Sequence, residues 1–305
     1  MTPYHGTPCG SLEQSPEFYL GISQLAWLRR LDFDGVPVFV SMNSFDKYKE
    51  LPDGGGTILG VDSAGFKELQ MHGRWRTDAA AFAEKCLRIK RHYGRRAVWF
   101  SPQDWMCEKI IIEGGRTKDG IFVGTGLSVE EHQLRTVRNF AELRALLGDL
   151  VIPVIQGWKV TDYWRCMQMY RDHGVELADS PRVGVGSVCR RQSTNEATLI
   201  MQSIASELGP VLHGYGFKKD GYRSCAKYMA SGDSFAWSFA GRKRPNVTHE
   251  HIARSLDKAN KGKRGCADDC AQCPDFALDW RRDLLQILTE CSAPFPDRAQ
   301  LSLAL

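Results

Sequence analysis

Residues 151–187 read VIPVIQGWKVTDYWRCMQMYRDHGVELADSPRVGVGS. The stretch opens on a largely apolar run, Val151 to Gly157, that ends in Gln156-Gly157. Thr161 to His173 follows with helical periodicity, and Arg182 to Ser187 is a second short apolar run ending in Gly186-Ser187. An amphipathic helix between two β-branched runs is the signature of a crossover joining parallel strands. The runs are near-continuous rather than alternating, as expected of strands covered on both faces.

Working outward, the same alternation recurs along the chain. The other strand candidates are Phe18 to Ser23, Val36 to Met42, Thr57 to Ser63, Ala97 to Gln103, Pro210 to Phe217 and Ser234 to Phe239. The clearest helical stretches besides Thr161 to His173 are Asp78 to Tyr93, Ser128 to Leu147 and Ser193 to Leu208. The last two open with the capping-box pairs Ser128/Glu131 and Ser193/Glu196. Eight strands with intervening helices predict an α/β fold, a (β/α)8 TIM-type barrel over residues 1–244. The first two connections, Gln24 to Gly35 and Asn43 to Gly56, hold at most short helices, so an open sheet with an extra hairpin fits the same pattern. Residues 245–305 read as a small C-terminal helical appendage.

Composition narrows the classes. With 43% hydrophobic and 25% charged residues in 305, disordered, fibrous and collagen-like proteins are excluded. No apolar run reaches membrane-helix length, and the start, with Pro3, His5, Pro8 and Gly10, lacks a signal-peptide core; a cytoplasmic protein is expected. A net charge of +4 permits a nucleic-acid partner without requiring one. Of ten cysteines only Cys266, Cys270 and Cys273 cluster. Their C-x3-C-x2-C spacing suits a structural zinc ion, against the alternative of three reduced thiols near a helix start. The fourth ligand is open among His249, His251, Asp268, Asp269 and Cys291; one unbroken helix from Asp275 to Glu290 would carry Cys291 roughly 24 Å away.

Polar residues fall at strand ends: Asp62-Ser63-Ala64-Gly65-Phe66, Ser101-Pro102-Gln103-Asp104, Gln156-Gly157, Gly184-Val185-Gly186-Ser187, His213-Gly214-Tyr215-Gly216 and Ser231-Gly232-Asp233-Ser234. In a barrel these converge on one rim, where active sites sit. Buried Asp62, Asp104 and Asp233 carry a desolvation cost that chemistry can offset, and two carboxylates flanking an anomeric carbon can exchange a glycosidic bond with retention. Asp beside Gly and Ser also simply caps turns.

The ordered set DSAGF, SPQDW, VIQGW, GVGS, HGYG and GDS resembles the tRNA-guanine transglycosylases from about Thr57 to Cys273, and is closest to their 7-deazaguanine DNA transglycosylase branch of phages and bacteria. The resemblance implies that Asp233 is the nucleophile at C1′ and Asp62 the general acid/base. It likewise implies that Asp104 accepts hydrogen bonds from a guanine-like N1 and exocyclic amine, and that Gln156 and the Gly157 amide meet the carbonyl edge. Gly186 would face the base, Phe66 would stack, and His213 would lie under the base where the tRNA enzymes carry an apolar residue. The function so implied is exchange of guanine in DNA for a free 7-deazaguanine of the preQ0 type, with structural zinc and no redox cofactor. Two departures, Ala64 for a glycine and a shorter chain after the cysteines, favour DNA over tRNA. The same exchange on tRNA, and a non-catalytic nucleic-acid-binding relative, are the alternatives. A second copy or accessory DNA-modification proteins are compatible partners; a membrane is not. Arg190 and Arg191 are placed for substrate phosphate; the basic residues of the C-terminal region fit either a track for a phosphate backbone or a solvated helical face. The long Met106 to Gly126 connection suggests a lid or hairpin.

Overall fold

The computed structural model describes residues 15–118, 120–243 and 270–291. Eight parallel strands form one sheet: β1 (Glu17–Ile22), β2 (Pro37–Ser41), β3 (Ile58–Asp62), β4 (Ala97–Phe100), β7 (Val154–Ile155), β8 (Val183–Val185), β9 (Leu212–Gly214) and β10 (Ser231–Ser234). Their order is β4-β3-β2-β1-β10-β9-β8-β7. The two edges of this curled sheet meet at one parallel bridge, Phe100 with Val151, and the Ile152 N–H donates to the Phe100 carbonyl at 3.1 Å. The result is a TIM-like α/β fold. Between β4 and β7 the Met106–Gly126 connection carries the expected hairpin, β5 (Gly115–Thr117) against β6 (Gly120–Phe122).

The helices are α1 (Met42–Phe45), α2 (Gly65–His72), α3 (Ala79–Tyr93), α4 (Lys109–Glu113), α5 (Val129–Leu147), α6 (Val160–Asp172), α7 (Asn195–Leu208), α8 (Lys219–Cys225), α9 (Ala236–Arg242) and α10 (Pro274–Glu290). Ser128 caps α5 as expected, its Oγ accepting from the Glu131 N–H at 3.1 Å. At α7 the expected Ser193 cap is displaced by one residue: Thr194 Oγ1 accepts from the Ala197 N–H at 3.2 Å. The first two crossovers contain only 3-10 turns and the single turn α1.

The eighth strand corrects the sequence reading. It lies at Ser231–Ser234, between β1 and β9, and not at Ser234 to Phe239. The Phe235, Trp237, Phe239 alternation imitates a strand, yet these residues enter α9. There Trp237 is 1% exposed, with its indole N–H donating to the Gly21 carbonyl at 2.8 Å, while Phe239 is 52% exposed. Ser231-Gly232-Asp233-Ser234 carries no apolar side chain, and close approach selects it: a Cβ at Gly232 would meet the Tyr222 hydroxyl at 2.5 Å.

Two apolar layers hold the sheet. Strand residues such as Leu20, Val38, Val61 and Val183 face the helices in one large core, which also takes Phe276, Ala277, Trp280 and Leu284 of α10. Inside the sheet's curve, Tyr19, Phe39, Trp99 and Ile152 fill the bottom. Gly60 makes room for this plug, because a Cβ there would fall 2.7 Å from the Trp99 ring. Above the plug the strand ends open on a cavity.

Candidate active site

The cavity has a volume of about 380 Å³ and lies at the C-terminal ends of the strands. Asp62 ends β3, Asp104 follows β4, Gln156 follows β7, Gly186 follows β8 and Asp233 lies within β10; all five line it, as does Phe66 at the start of α2. Asp62 and Asp233 therefore share one chamber, the arrangement that the sequence reading required.

Each carboxyl is held by a few donors and disfavoured by its surroundings. Asp62 Oδ2 accepts the Ala64 N–H at 2.9 Å. Burial, and then the charge of Asp233, push its pKa up to about 6 despite those donors. Asp233 Oδ1 accepts the Gly216 N–H at 3.0 Å, and burial pushes this carboxyl up to about 7. Asp104 is also lifted to about 7, by burial and then by Asp62. It is held by Gln156 Nε2, donating to Oδ2 at 2.5 Å, and by Ser63 Oγ, donating to Oδ1 at 3.3 Å.

Behind Gln156 runs a polar chain that the sequence did not reveal. Ser187 Oγ stands 2.7 Å from Gln156 Oε1 and 3.0 Å from Glu108 Oε2, and accepts the Cys107 N–H at 2.7 Å. One hydroxyl proton cannot serve two acceptors. Burial raises the Glu108 pKa, and the Ser187 hydroxyl can donate to Gln156 Oε1 or to Glu108 Oε2, the Gln156 contact being the shorter. The Gln156 amide is thereby oriented with its NH2 toward Asp104. Gly186 is required here because any side chain would collide with that amide.

Strain marks the same walls. Ala64 and Ser187 are the non-glycine residues with positive φ among those described, at 69° and 57°. At Ala64 the left-handed turn aims its N–H at Asp62, so the alanine stands on a glycine-like backbone.

Two of the expected site residues do not line the cavity. Gly157 is boxed in by Asp162 and Tyr163, whose Cδ2 would lie 2.9 Å from a Cβ. His213 is fully buried behind Asp233, with Nε2 3.4 Å from Asp233 Oδ1. Arg191 is also turned inward: it donates to the Trp158 carbonyl, stacks 4.2 Å over Trp158 and pairs with Glu196 at 3.2 Å. Arg190 instead lies exposed over Phe66, 4.8 Å from its centroid, at the mouth. Wall residues not anticipated as site groups include Glu108, Ser187, Cys189, Tyr215 and Phe235. Tyr215 fell inside a quoted motif, and its hydroxyl meets Ser101 Oγ at 2.9 Å.

Of the proposed metal ligands, Cys266 lies outside the described residues, as do His249, His251, Asp268 and Asp269. Cys270 and Cys273 bracket a 3-10 turn, with the Cys273 N–H donating to the Cys270 carbonyl at 3.4 Å. Cys273 is the N-cap of α10. This pair fits half of a thiolate metal site; among the described residues no group of three or more candidate ligands gathers. Cys291 caps the far end of the 17-residue α10, roughly 25 Å from Cys273, which removes it from the ligand candidates.

No helix among the described residues is long and apolar enough to cross a membrane. No curated protein matches the chain. One family profile does, over residues 14–303: DpdA, described as DeoxyPurine in DNA protein A. The match covers the sheet and every residue of the cavity wall, so the chain belongs to the DpdA family of 7-deazaguanine DNA transglycosylases, pentosyltransferase-type enzymes related to the tRNA-guanine transglycosylases.

Proposed function

We propose that this enzyme replaces guanine in DNA with a free 7-deazaguanine of the preQ0 type through a covalent aspartyl intermediate. The observation that carries the reading is that Asp62 and Asp233 open on one cavity with both carboxyls lifted toward neutral pH, where one can be charged while the other is protonated. As a carboxylate, Asp233 attacks C1′ while the C1′–N9 bond breaks and protonated Asp62 delivers its proton to the departing guanine. The incoming base then gives its N9 proton to Asp62, and its nitrogen displaces Asp233 from C1′. Two inversions at the sugar give retention.

Asp104 and Gln156 supply recognition. A carboxylate can accept from the N1–H and the exocyclic amine of guanine and deazaguanine alike, and the oriented Gln156 NH2 can donate to the adjacent carbonyl. A base must leave the stack to enter so enclosed a chamber, and Phe66 beneath Arg190 offers a stacking surface at its mouth.

Zinc held by Cys266, Cys270 and Cys273 would supply a structural cross-link, without a role at the sugar. Cys270 and Cys273 would then tie the start of α10 to the turn that α9 packs against, where a Cβ at Gly241 would meet Cys270 at 2.5 Å.

The test is incubation of the enzyme with DNA or tRNA carrying labelled guanine, plus free preQ0. Release of label from DNA that depends on the added base supports the reading. Release from tRNA alone moves it to the related substrate, and release by water alone makes the protein a glycosidase. The rate should be bell-shaped in pH, with limbs near 6 and 7, because one carboxyl must be charged and the other protonated. Asp233→Asn should abolish exchange and the covalent DNA adduct seen on denaturing gels.

A further inference from the structure

His213, on β9, is enclosed by the rings of Tyr19, Phe39, Trp99 and Tyr215, with centroids 6.0, 5.7, 4.8 and 4.9 Å away. Such a site would suit an apolar side chain, yet it holds an imidazole. Nδ1 lies 2.9 Å from Ser231 Oγ, and Nε2 has no hydrogen-bond partner within ordinary geometry. Asp233 Oδ1 lies 3.4 Å from Nε2.

The tautomer follows from the neighbours. Ser231 Oγ is contacted by Arg182 Nη1 as well as by His213. A guanidinium only donates, so it occupies an acceptor position of the hydroxyl. Ser231 is fully buried, and His213 Nδ1 is the remaining acceptor for its proton. Nδ1 is therefore bare and the ring proton sits on Nε2. Arg182 is itself fixed, paired with Glu17 at 3.1 Å and stacked on Tyr19 and Trp99 at 5.2 and 5.1 Å. Burial, and then the Arg182 charge, hold the His213 pKa well below the usual histidine range, so the ring stays neutral.

We propose that His213 is a positioning residue for the nucleophile: its Nε2–H, fixed by the Arg182–Ser231 pair, faces Asp233 Oδ1 across 3.4 Å and closes to a hydrogen bond when Asp233 is charged, holding the carboxylate with Oδ2 toward the sugar. The inference rests on the base-exchange reading of Asp233. The Gly216 N–H reaches the same oxygen, so both donors fall on Oδ1 and the other oxygen is left to attack. A neutral donor suits this place, since an imidazolium would neutralise the nucleophile and could protonate it. The other titratable groups facing this pair are Glu17 and Tyr19 on β1, Asp62 on β3, Asp104 beyond β4, Cys189 beyond β8, Tyr215 beyond β9 and Tyr222 on α8.

Two measurements test it. Long-range 15N–1H correlation spectra of the histidine rings, assigned with His213→Gln, should show His213 as the Nε2–H tautomer, unprotonated from about pH 5 to 8. An Nδ1–H tautomer, or a ring that titrates in that range, overturns the proposal without reference to activity. In the exchange assay, His213→Leu should lower kcat about 10- to 100-fold at neutral pH, with KM for the free base unchanged. The limb near 7, which follows Asp233, should move up by about one unit, so that the deficit against wild type narrows at higher pH. His213→Gln, whose amide can accept from Ser231 and donate to Asp233, should stay within a few-fold of the wild type. Ser231→Ala, a smaller change that frees the tautomer, should fall between them. A wild-type pH profile in His213→Leu or Ser231→Ala overturns the role. A wild type inert toward both nucleic acids overturns the base-exchange reading instead, while the tautomer result stands apart from it.

Discussion

At the scale of single residues, the three aspartates are placed against the stability of the fold. Asp104 illustrates the sign. Its folded pKa of about 7 lies above the unfolded value of 3.8, so its contribution to stability is fully present below about pH 4 and is lost as pH rises through 7. Asp104→Asn has no charge to bury and should be more stable than wild type at pH 8, by on the order of 2–4 kcal/mol. In urea titrations the two curves should converge below about pH 4, and the variant should bind free deazaguanine poorly. An Asn variant no more stable than wild type at pH 8 would show that the carboxylate is fully compensated. Legibility in sequence followed the same physics. Asp62, Asp104 and Gln156 stood out because each follows an apolar strand, where an unexplained polar group is conspicuous. Glu108 and Ser187 did not, because what matters about them is a hydrogen bond across 79 positions of chain. His213 was found, but its depth behind Asp233 depends on which face of a three-residue strand it occupies, and glycine-flanked strands leave that face undetermined.

At the scale of elements, apolar strands and capped helices were legible and a polar strand was not. β10 is buried along its whole length with no apolar side chain, so periodicity passed over it and settled on the aromatic residues of α9. Its place is fixed from outside, by pairing with β1 and β9. The α7 cap slipped by one residue because Ser193 and Thr194 offer the same hydroxyl chemistry, and local sequence does not rank them. α10 carries an element-scale prediction. Phe276, Trp280 and Leu284 anchor it in the main core, and its first turn begins at the cysteine pair. Removing the proposed zinc with a strong chelator should lower Tm by several degrees while the strand-end cavity persists, and Cys273→Ser should mimic the loss without further effect of chelator. Metal analysis that finds less than one zinc per chain in the active protein would dismiss the cross-link.

At the scale of the whole molecule, the sheet consists of two four-stranded halves, β4-β3-β2-β1 and β10-β9-β8-β7. A continuous ladder between β1 and β10 joins them on one side, and the lone Phe100–Val151 bridge on the other. The first half contributes Asp62, Asp104 and Glu108; the second contributes Gln156, Gly186 and Asp233. The tip of the β5–β6 hairpin falls between them in the chain. A protein cleaved there should yield two fragments that are each inert, the earlier without the proposed nucleophile Asp233 and the later without the proposed proton donor Asp62. Mixing them should restore exchange by complementation, with a rate that saturates as one fragment titrates the other. The seam at Phe100 thus divides the chemistry as well as the sheet: neither piece alone could damage a genome, and competence arises only on reunion.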